Sequence, residues 1–84
     1  NRAEALPTIC ASLHNKAGGI TVLPVYSKQK QDAKRIIVRV QKDSKAPCVI
    51  LPPFYVHQEN GQYSSAAQKI LRQGLSFKNL GFDI

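Results

Sequence analysis

The sequence predicts a small α/β fold made of a helix, an antiparallel β-hairpin, a proline-broken extended segment and a C-terminal helix. Taken alone, this order of elements is typical of the α+β class. Three observations support this prediction. Apolar residues recur at helical spacing near the start, residues 35–41 alternate an apolar face with a mixed one, and residues 65–74 carry the start and stop signals of a helix. A chain of 84 residues supports one core, so we treat residues 1–84 as a single domain.

The first helix is predicted over residues 2–13. Its apolar residues recur at offsets of three, four and seven, which is the stripe of a helix packed on one side. Pro7 fits the first turn, where no backbone donor is lost. His14 is interpreted as an ordinary residue of the last turn, and Gly18-Gly19 is expected to end the helix. The stripe consists of Leu6, Ile9, Cys10 and Leu13.

The hairpin is predicted from two β-rich stretches, residues 20–26 and 35–41, joined by a polar loop at 27–34. Pro24 cannot donate a ladder hydrogen bond, so the first stretch is expected to be an edge strand. The second alternates Ile36, Val38 and Val40 with a mixed face, and we expect the rest of the chain to be organised around it.

The remainder is predicted to return along the sheet and close with a helix. A turn at 42–47 precedes an extended segment that Pro52 and Pro53 interrupt. Asn60-Gly61 signals a turn. A capping box at residues 65–68 opens a helix that ends at Gly74. The tail at 75–84 is expected either to dock on the core or to be loose.

The charge of the chain favours polyanionic partners. Lysine and arginine number 12 against five acidic residues, a formal net charge of +7. One interpretation is phosphate contact without base recognition, with Lys28, Lys30, Lys42 and Lys45 as candidate nucleic-acid-binding residues. The other is a solvated hairpin whose lysines protect an edge. The two loops of a hairpin lie at opposite ends, so one patch cannot hold all of the basic residues between 28 and 45. These are Lys28, Lys30, Lys34, Arg35, Arg39, Lys42 and Lys45.

No self-sufficient catalytic site is visible in the sequence. Cys10 and Cys48 are expected to be small buried hydrophobes, which fits a reducing cytoplasm. The histidines and cysteines are not at metal-ligand spacing, so no metal site is assigned. There is no Gly-rich phosphate loop and no apolar run long enough for a membrane span. Tyr55 and Tyr63 near His57 could stack on a base, but the interpretation as core aromatics is preferred.

Several stretches together resemble the C-terminal third of bacterial small-domain methyltransferases similar to the tRNA1(Val) adenine-N6 methyltransferase. The resemblance covers most of the chain. It rests on structural segments, which are less specific than a catalytic motif. The matching stretches are residues 1–7, 18–24, 35–40, 42–47, 50–54, 56–63 and 67–72.

The resemblance implies a class I methyltransferase that uses S-adenosylmethionine and has a seven-stranded Rossmann-like sheet. This chain would supply the last large helix, strand six at the edge, and strand seven beside strand five. The cofactor loop and the Asn-Pro-Pro-Tyr motif of that family would lie upstream of Asn1, so no catalytic or cofactor-binding residue is assigned and no bound cofactor is expected. Residues 51–54 look like that motif, but Leu51 lacks the side-chain carbonyl that grips the target amine. A proline-broken strand is the preferred interpretation.

The resemblance thus implies a non-catalytic C-terminal portion of a methyltransferase that methylates an adenine amine in tRNA. The chain begins at Asn1 and has no methionine, which favours a piece of a longer protein. The alternative is a self-standing small basic module that binds nucleic acid. Without strand five, residues 35–41 would present an unpaired edge, and we expect the chain to self-associate through it.

Overall fold

The computed structural model describes residues 1–13 and 17–84. Within these ranges the chain forms two α-helices, two short 3-10 helices and a four-stranded sheet. The predicted mixed α/β class is therefore confirmed. The interpretation of His14 as a last-turn residue lies outside the described residues. Neither α-helix of the described ranges has the length and apolarity needed to cross a membrane.

The first helix forms where the apolar spacing predicts it. A 3-10 turn at Ala3–Ala5 leads into α1, Leu6–Leu13, and Pro7 is its second residue, so the ring falls in the first turn as expected. No residue of α1 is buried, and Cys10 is exposed. The expectation that the stripe packs against a core is therefore wrong for this chain, because the apolar side of α1 lacks a complete covering layer.

Strands β1 (Ala17–Tyr26) and β2 (Arg35–Lys42) form the predicted antiparallel pair. Their register runs from Ala17 opposite Lys42 to Val25 opposite Arg35, with a bulge between Gly18 and Thr21. Gly18 and Gly19 thus lie inside β1 and do not terminate the helix as expected. The Cα of Gly18 is so close to the Ser44 carbonyl that a Cβ there would overlap it, and Gly19 has φ +55°.

The central strand of the sheet is β1, not β2. Strand β2 pairs with one side of β1, while β3 (Val49–Ile50) and β4 (Phe54–Tyr55) pair in parallel with the other side. The edge position predicted from Pro24 is therefore wrong.

The reason lies in strand parity. Every second residue of a strand directs its backbone groups to the same side. The carbonyls of Val22 and Tyr26 accept hydrogen bonds from the amides of Leu51 and Val56. Pro24 lies midway between them, so its nitrogen faces the same side. There it meets the gap between β3 and β4, where Pro52 and Pro53 interrupt the partner. The missing donor of Pro24 therefore costs no ladder hydrogen bond. The predicted interruption at residues 52 and 53 is confirmed.

The core lies on one face of the sheet, under α2 (Ser65–Gln73) and the C-terminal tail. Leu23 is completely buried, and Phe54 and Ala67 are each 4% exposed. The ring of Phe54 meets Phe77 and Phe82 edge to face, with centroids 5.0 and 5.7 Å away. Since the tail supplies Phe77, Leu80, Phe82 and Ile84 to this cluster, it docks on the core.

Helix α2 begins one residue earlier than the capping-box pattern indicates. Ser64 is the N-cap, and its hydroxyl oxygen accepts from the amide of Ala67 at 3.1 Å. The same hydroxyl donates to the Tyr55 carbonyl at 2.6 Å, which ties the helix start to β4. Position N3 is alanine, so the reciprocal half of a capping box is missing. The predicted stop at Gly74 is confirmed by its left-handed φ of 68°.

Candidate nucleic-acid interface

Two loops meet at the end of β1 and β4. One is the β1–β2 loop at residues 27–34, and the other is the hairpin at residues 57–63. The backbone amide of His57 donates to the Ser27 carbonyl at 2.8 Å, and the Ser27 hydroxyl lies 3.4 Å from His57 Nδ1. These contacts fix the imidazole beside the basic loop.

The hairpin at 57–63 presents a pair of stacked rings. His57 and Tyr63 form an antiparallel bridge, and their rings stack with centroids 5.0 Å apart and planes inclined by 20°. The Gln58 amide donates to the Gln62 carbonyl at 2.7 Å, and the predicted turn is confirmed by φ +85° at Gly61. Tyr63 is 46% exposed. The preferred interpretation of this tyrosine as a core aromatic is therefore wrong, because its hairpin projects beyond the packed sheet.

Tyr55 has a different environment. It is half-buried and packs against Tyr26, its parallel partner across the sheet, with ring centroids 5.5 Å apart. Its ring therefore belongs to the body of the sheet, while Tyr63 belongs to the projecting hairpin. Of the two tyrosines that the sequence places near His57, only Tyr63 contributes to the stack on that histidine.

Two open depressions share His57. One, of about 640 Å³, is bounded by the hairpin, by Gln29 of the basic loop and by Tyr55. The other, of about 320 Å³, runs from His57 to Lys34 and Arg35. Both have mixed polar and apolar walls.

The four candidate lysines fall into two groups. Lys28 and Lys30 lie in the β1–β2 loop, while Lys42 ends β2 and Lys45 follows it. The hairpin register separates the two groups by roughly 25 Å at the rise of an extended strand. The expectation that one patch cannot hold all of the basic residues is therefore confirmed. None of the four lysines lines the depressions beside His57, but the loop that carries Lys28 and Lys30 borders both of them through Ser27, Gln29 and Gln31.

Arg39, at the middle of β2, is held by its neighbours. Its Nη2 donates to the Thr21 hydroxyl at 3.4 Å, and its Nη1 lies 3.8 Å from the Asp83 carboxylate. It therefore links the sheet to the docked tail. Within the described residues the salt bridges involve Arg39 and Arg2, and none involves the four candidate lysines.

The expectation of buried cysteines is wrong. Cys10 and Cys48 are both exposed free thiols. Cys10 lies on the uncovered helix α1, and Cys48 directly precedes the exposed strand β3, whose Ile50 is 72% exposed. A second layer of structure would be needed to bury these positions.

Residues 51–54 have a structural role. Phe54 is the buried aromatic of the core, and the two prolines span the gap between β3 and β4. The predicted structural interpretation of this stretch is therefore confirmed. Among the described residues no group of three histidine, cysteine or acidic side chains is placed to hold a metal ion.

The described fold is similar to part of a solved structure. The crystal structure of a predicted O-methyltransferase, protein Atu636 from Agrobacterium tumefaciens, matches 82% of this chain with a TM-score of 0.76 and 20% sequence identity. At that identity the likeness concerns the fold alone. This chain spans 34% of that protein's chain, which is about a third of its length. Neither protein-family models nor curated proteins match the sequence.

Proposed function

We propose that this chain is the non-catalytic C-terminal portion of an S-adenosylmethionine-dependent methyltransferase that methylates the N6 amine of an adenine in tRNA. The observation that carries the proposal is the likeness to a methyltransferase fold over 82% of the chain. The sequence resemblance to small-domain tRNA methyltransferases supports the choice of acceptor. The whole parent protein, and not these residues alone, would be the enzyme.

The cofactor would bind outside these residues. S-adenosylmethionine supplies the methyl group in this reaction class. The sequence has no Gly-rich turn of the kind that holds such a cofactor between a strand and a helix. The role assigned to this chain is therefore to complete the sheet and to contact the RNA.

Exposed cations support the RNA contact. Lys30, Lys42 and Lys45 are exposed, and Lys28 is half-buried. Placed at both ends of the hairpin, these four lysines would contact phosphates at two separate points of a folded RNA. Such contacts position an RNA without reading its sequence.

The alternative is a self-standing basic module that binds nucleic acid without a catalytic parent. Its support is the net charge of +7. The two proposals differ in what precedes Asn1 in the reading frame. A Gly-rich strand-turn-helix and an Asn-Pro-Pro-Tyr motif favour the methyltransferase, and a start codon directly before Asn1 favours the module.

The test is transfer of labelled methyl groups from S-adenosylmethionine to tRNA by the protein encoded by the whole reading frame. We expect label on adenine N6 and a several-fold rise in KM for tRNA when Lys28, Lys30, Lys42 and Lys45 are changed to glutamine. Lys69→Gln and Lys78→Gln, at exposed positions of α2 and the tail, serve as matched controls. Label on an oxygen atom, or no transfer to RNA, would reject the acceptor that we propose.

We also propose that the isolated chain self-associates through the outer edge of β2. Residues 1–3 cover the beginning of that edge, where Ile36 exchanges hydrogen bonds of 2.8 and 3.1 Å with Asn1. By strand parity Val38 and Val40 direct their backbone groups outward, and no described residue pairs with them there. Val40 is also 39% exposed, so this edge is both unpaired and apolar.

A further inference from the structure

We propose that the stacked pair His57–Tyr63 and the neighbouring loop lysine Lys30 form a binding site for one unpaired nucleotide of a single-stranded RNA segment. The base would stack on the exposed Tyr63 ring, and the adjoining phosphate would contact Lys30. This deepens the RNA contact proposed above and rests on that proposal only for the identity of the RNA.

The first argument is the exposure of an ordered aromatic surface. Tyr63 keeps 46% of its surface exposed although its ring is fixed by the stack on His57. The hydrogen bond from Gln58 Nε2 to the Tyr63 carbonyl, at 3.2 Å, holds the backbone of the hairpin as well. Because the ring is already ordered, a base that stacks on it loses little additional entropy to the protein.

The second argument is the hydrogen-bonding capacity beside the other ring of the stack. His57, and not Tyr63, borders the depression of about 640 Å³, whose walls also include Gln29, Gln58 and Asn60. Amide groups both donate and accept, as the edges of bases do. A flat surface bordered by amides is the combination with which proteins hold splayed bases of single-stranded RNA.

The third argument is the backbone of Lys30. It has φ +64°, in the left-handed region, where a lysine is disfavoured and glycine or asparagine would be more stable. Asp43 also has a positive φ, of 57°, but aspartate tolerates that region. A charged side chain at such a position agrees with a role for its ammonium group.

Glu59 sets a limit on the site. Its carboxylate borders the same depression and would repel a phosphate placed there. The phosphate therefore belongs on the side of the β1–β2 loop, next to Lys30, and the base on the side of the hairpin. This arrangement predicts that Glu59→Gln strengthens binding of the oligonucleotide.

The experiment compares two fluorescently labelled probes by anisotropy with the 84-residue chain. One is a short single-stranded oligoadenylate, and the other is its abasic analogue with the same phosphates. We expect the oligoadenylate to bind at least about fivefold more tightly, the lower range of base stacking on an aromatic side chain. Tyr63→Leu should abolish that difference, and Tyr63→Phe should retain it.

Lys30→Gln should weaken binding of both probes and reduce the slope of log K against log salt by about 0.7, the value for one lost phosphate contact. Lys78→Gln is the control. If Tyr63→Leu does not fold, NMR of the unmodified chain replaces it. The ring signals of Tyr63 should then shift on titration with oligoadenylate, and those of Tyr26 should not.

Equal affinity for the two probes, or an unchanged difference in a folded Tyr63→Leu variant, would overturn the nucleotide site. These outcomes are separate from the test of the proposed function. Base-dependent binding without methyl transfer by the full reading frame would reject the enzyme and keep the site. Methyl transfer by the full reading frame, together with equal binding of the two probes by the 84-residue chain, would keep the enzyme and reject the nucleotide site.

Discussion

The imidazole of His57 and the phenol ring of Tyr63 stack at 5.0 Å on a hairpin that projects from the sheet. Six residues apart in sequence, the two rings are brought together by the turn at Asn60-Gly61. This stack gives the chain an exposed aromatic surface beside its basic loop, and we expect it to contribute to stability as well as to the proposed binding.

Replacing Tyr63 by leucine should lower the free energy of unfolding by about 1 kcal/mol, the typical contribution of an aromatic pair. Tyr63→Phe keeps the ring, so it should change the free energy of unfolding by less than about 0.5 kcal/mol. Urea unfolding followed by circular dichroism measures both. Equal losses for the two variants would show that the hydroxyl, and not the stack, stabilises the hairpin.

Replacing Lys30 by asparagine should raise the free energy of unfolding by up to about 1 kcal/mol, because asparagine tolerates the left-handed backbone better than lysine does. The same variant should bind RNA more weakly. Lys28→Asn is the control, since Lys28 is not among the residues with positive φ. A Lys30→Asn variant less stable than the parent chain would contradict the interpretation of Lys30 as strained.

Ser64→Ala should destabilise the fold by about 1 to 2 kcal/mol, because it removes the helix cap and the hydrogen bond to the Tyr55 carbonyl. Ser65→Ala should change stability by no more than about 0.5 kcal/mol, since Ser65 is exposed and makes neither contact. Thermal unfolding of the two variants distinguishes the positions. A larger loss of stability in Ser65→Ala than in Ser64→Ala would show that Ser65, and not Ser64, is the N-cap residue.

Gly18→Ala should be strongly destabilising, by about 2 kcal/mol or more, since the new methyl group would overlap the Ser44 carbonyl and displace the turn that follows β2. In Gly61→Ala the new Cβ would meet no atom within 4 Å, so the only unfavourable factor is the backbone φ of +85°. That substitution should cost about 1 kcal/mol. Similar losses in the two variants would mean that the approach at Gly18 relaxes easily.

Val40→Lys should convert a self-associated chain to a monomer, because a lysine on an open strand edge opposes pairing with a second copy. Leu71→Lys, at a position of α2 that is 63% exposed, is the matched control and should leave the association unchanged. Sedimentation at high micromolar concentration reports both. A folded monomer of the unmodified chain would remove the proposed edge pairing.

Local patterns in the sequence predicted the element types well. The alternation at 35–41, the Pro7 position, the Asn60-Gly61 turn and the Gly74 stop are each determined by a few neighbouring residues. The two-residue strand β3 carries no such local pattern. The exposure of Tyr63 was also not predicted, although its neighbours Gln62 and Ser64 are polar, because a local sequence does not show whether a hairpin packs or projects.

Local sequence patterns are enough to predict two helices, a hairpin and a proline-broken return segment, with basic loops at both ends of the hairpin. The central position of β1 follows from packing between segments that are distant in sequence. Pro24 lacks one donor, and whether that loss excludes a neighbouring strand depends on where the neighbour is itself interrupted. Since the gap at Pro52 and Pro53 lies opposite Pro24, the two defects coincide, and both sides of β1 are paired.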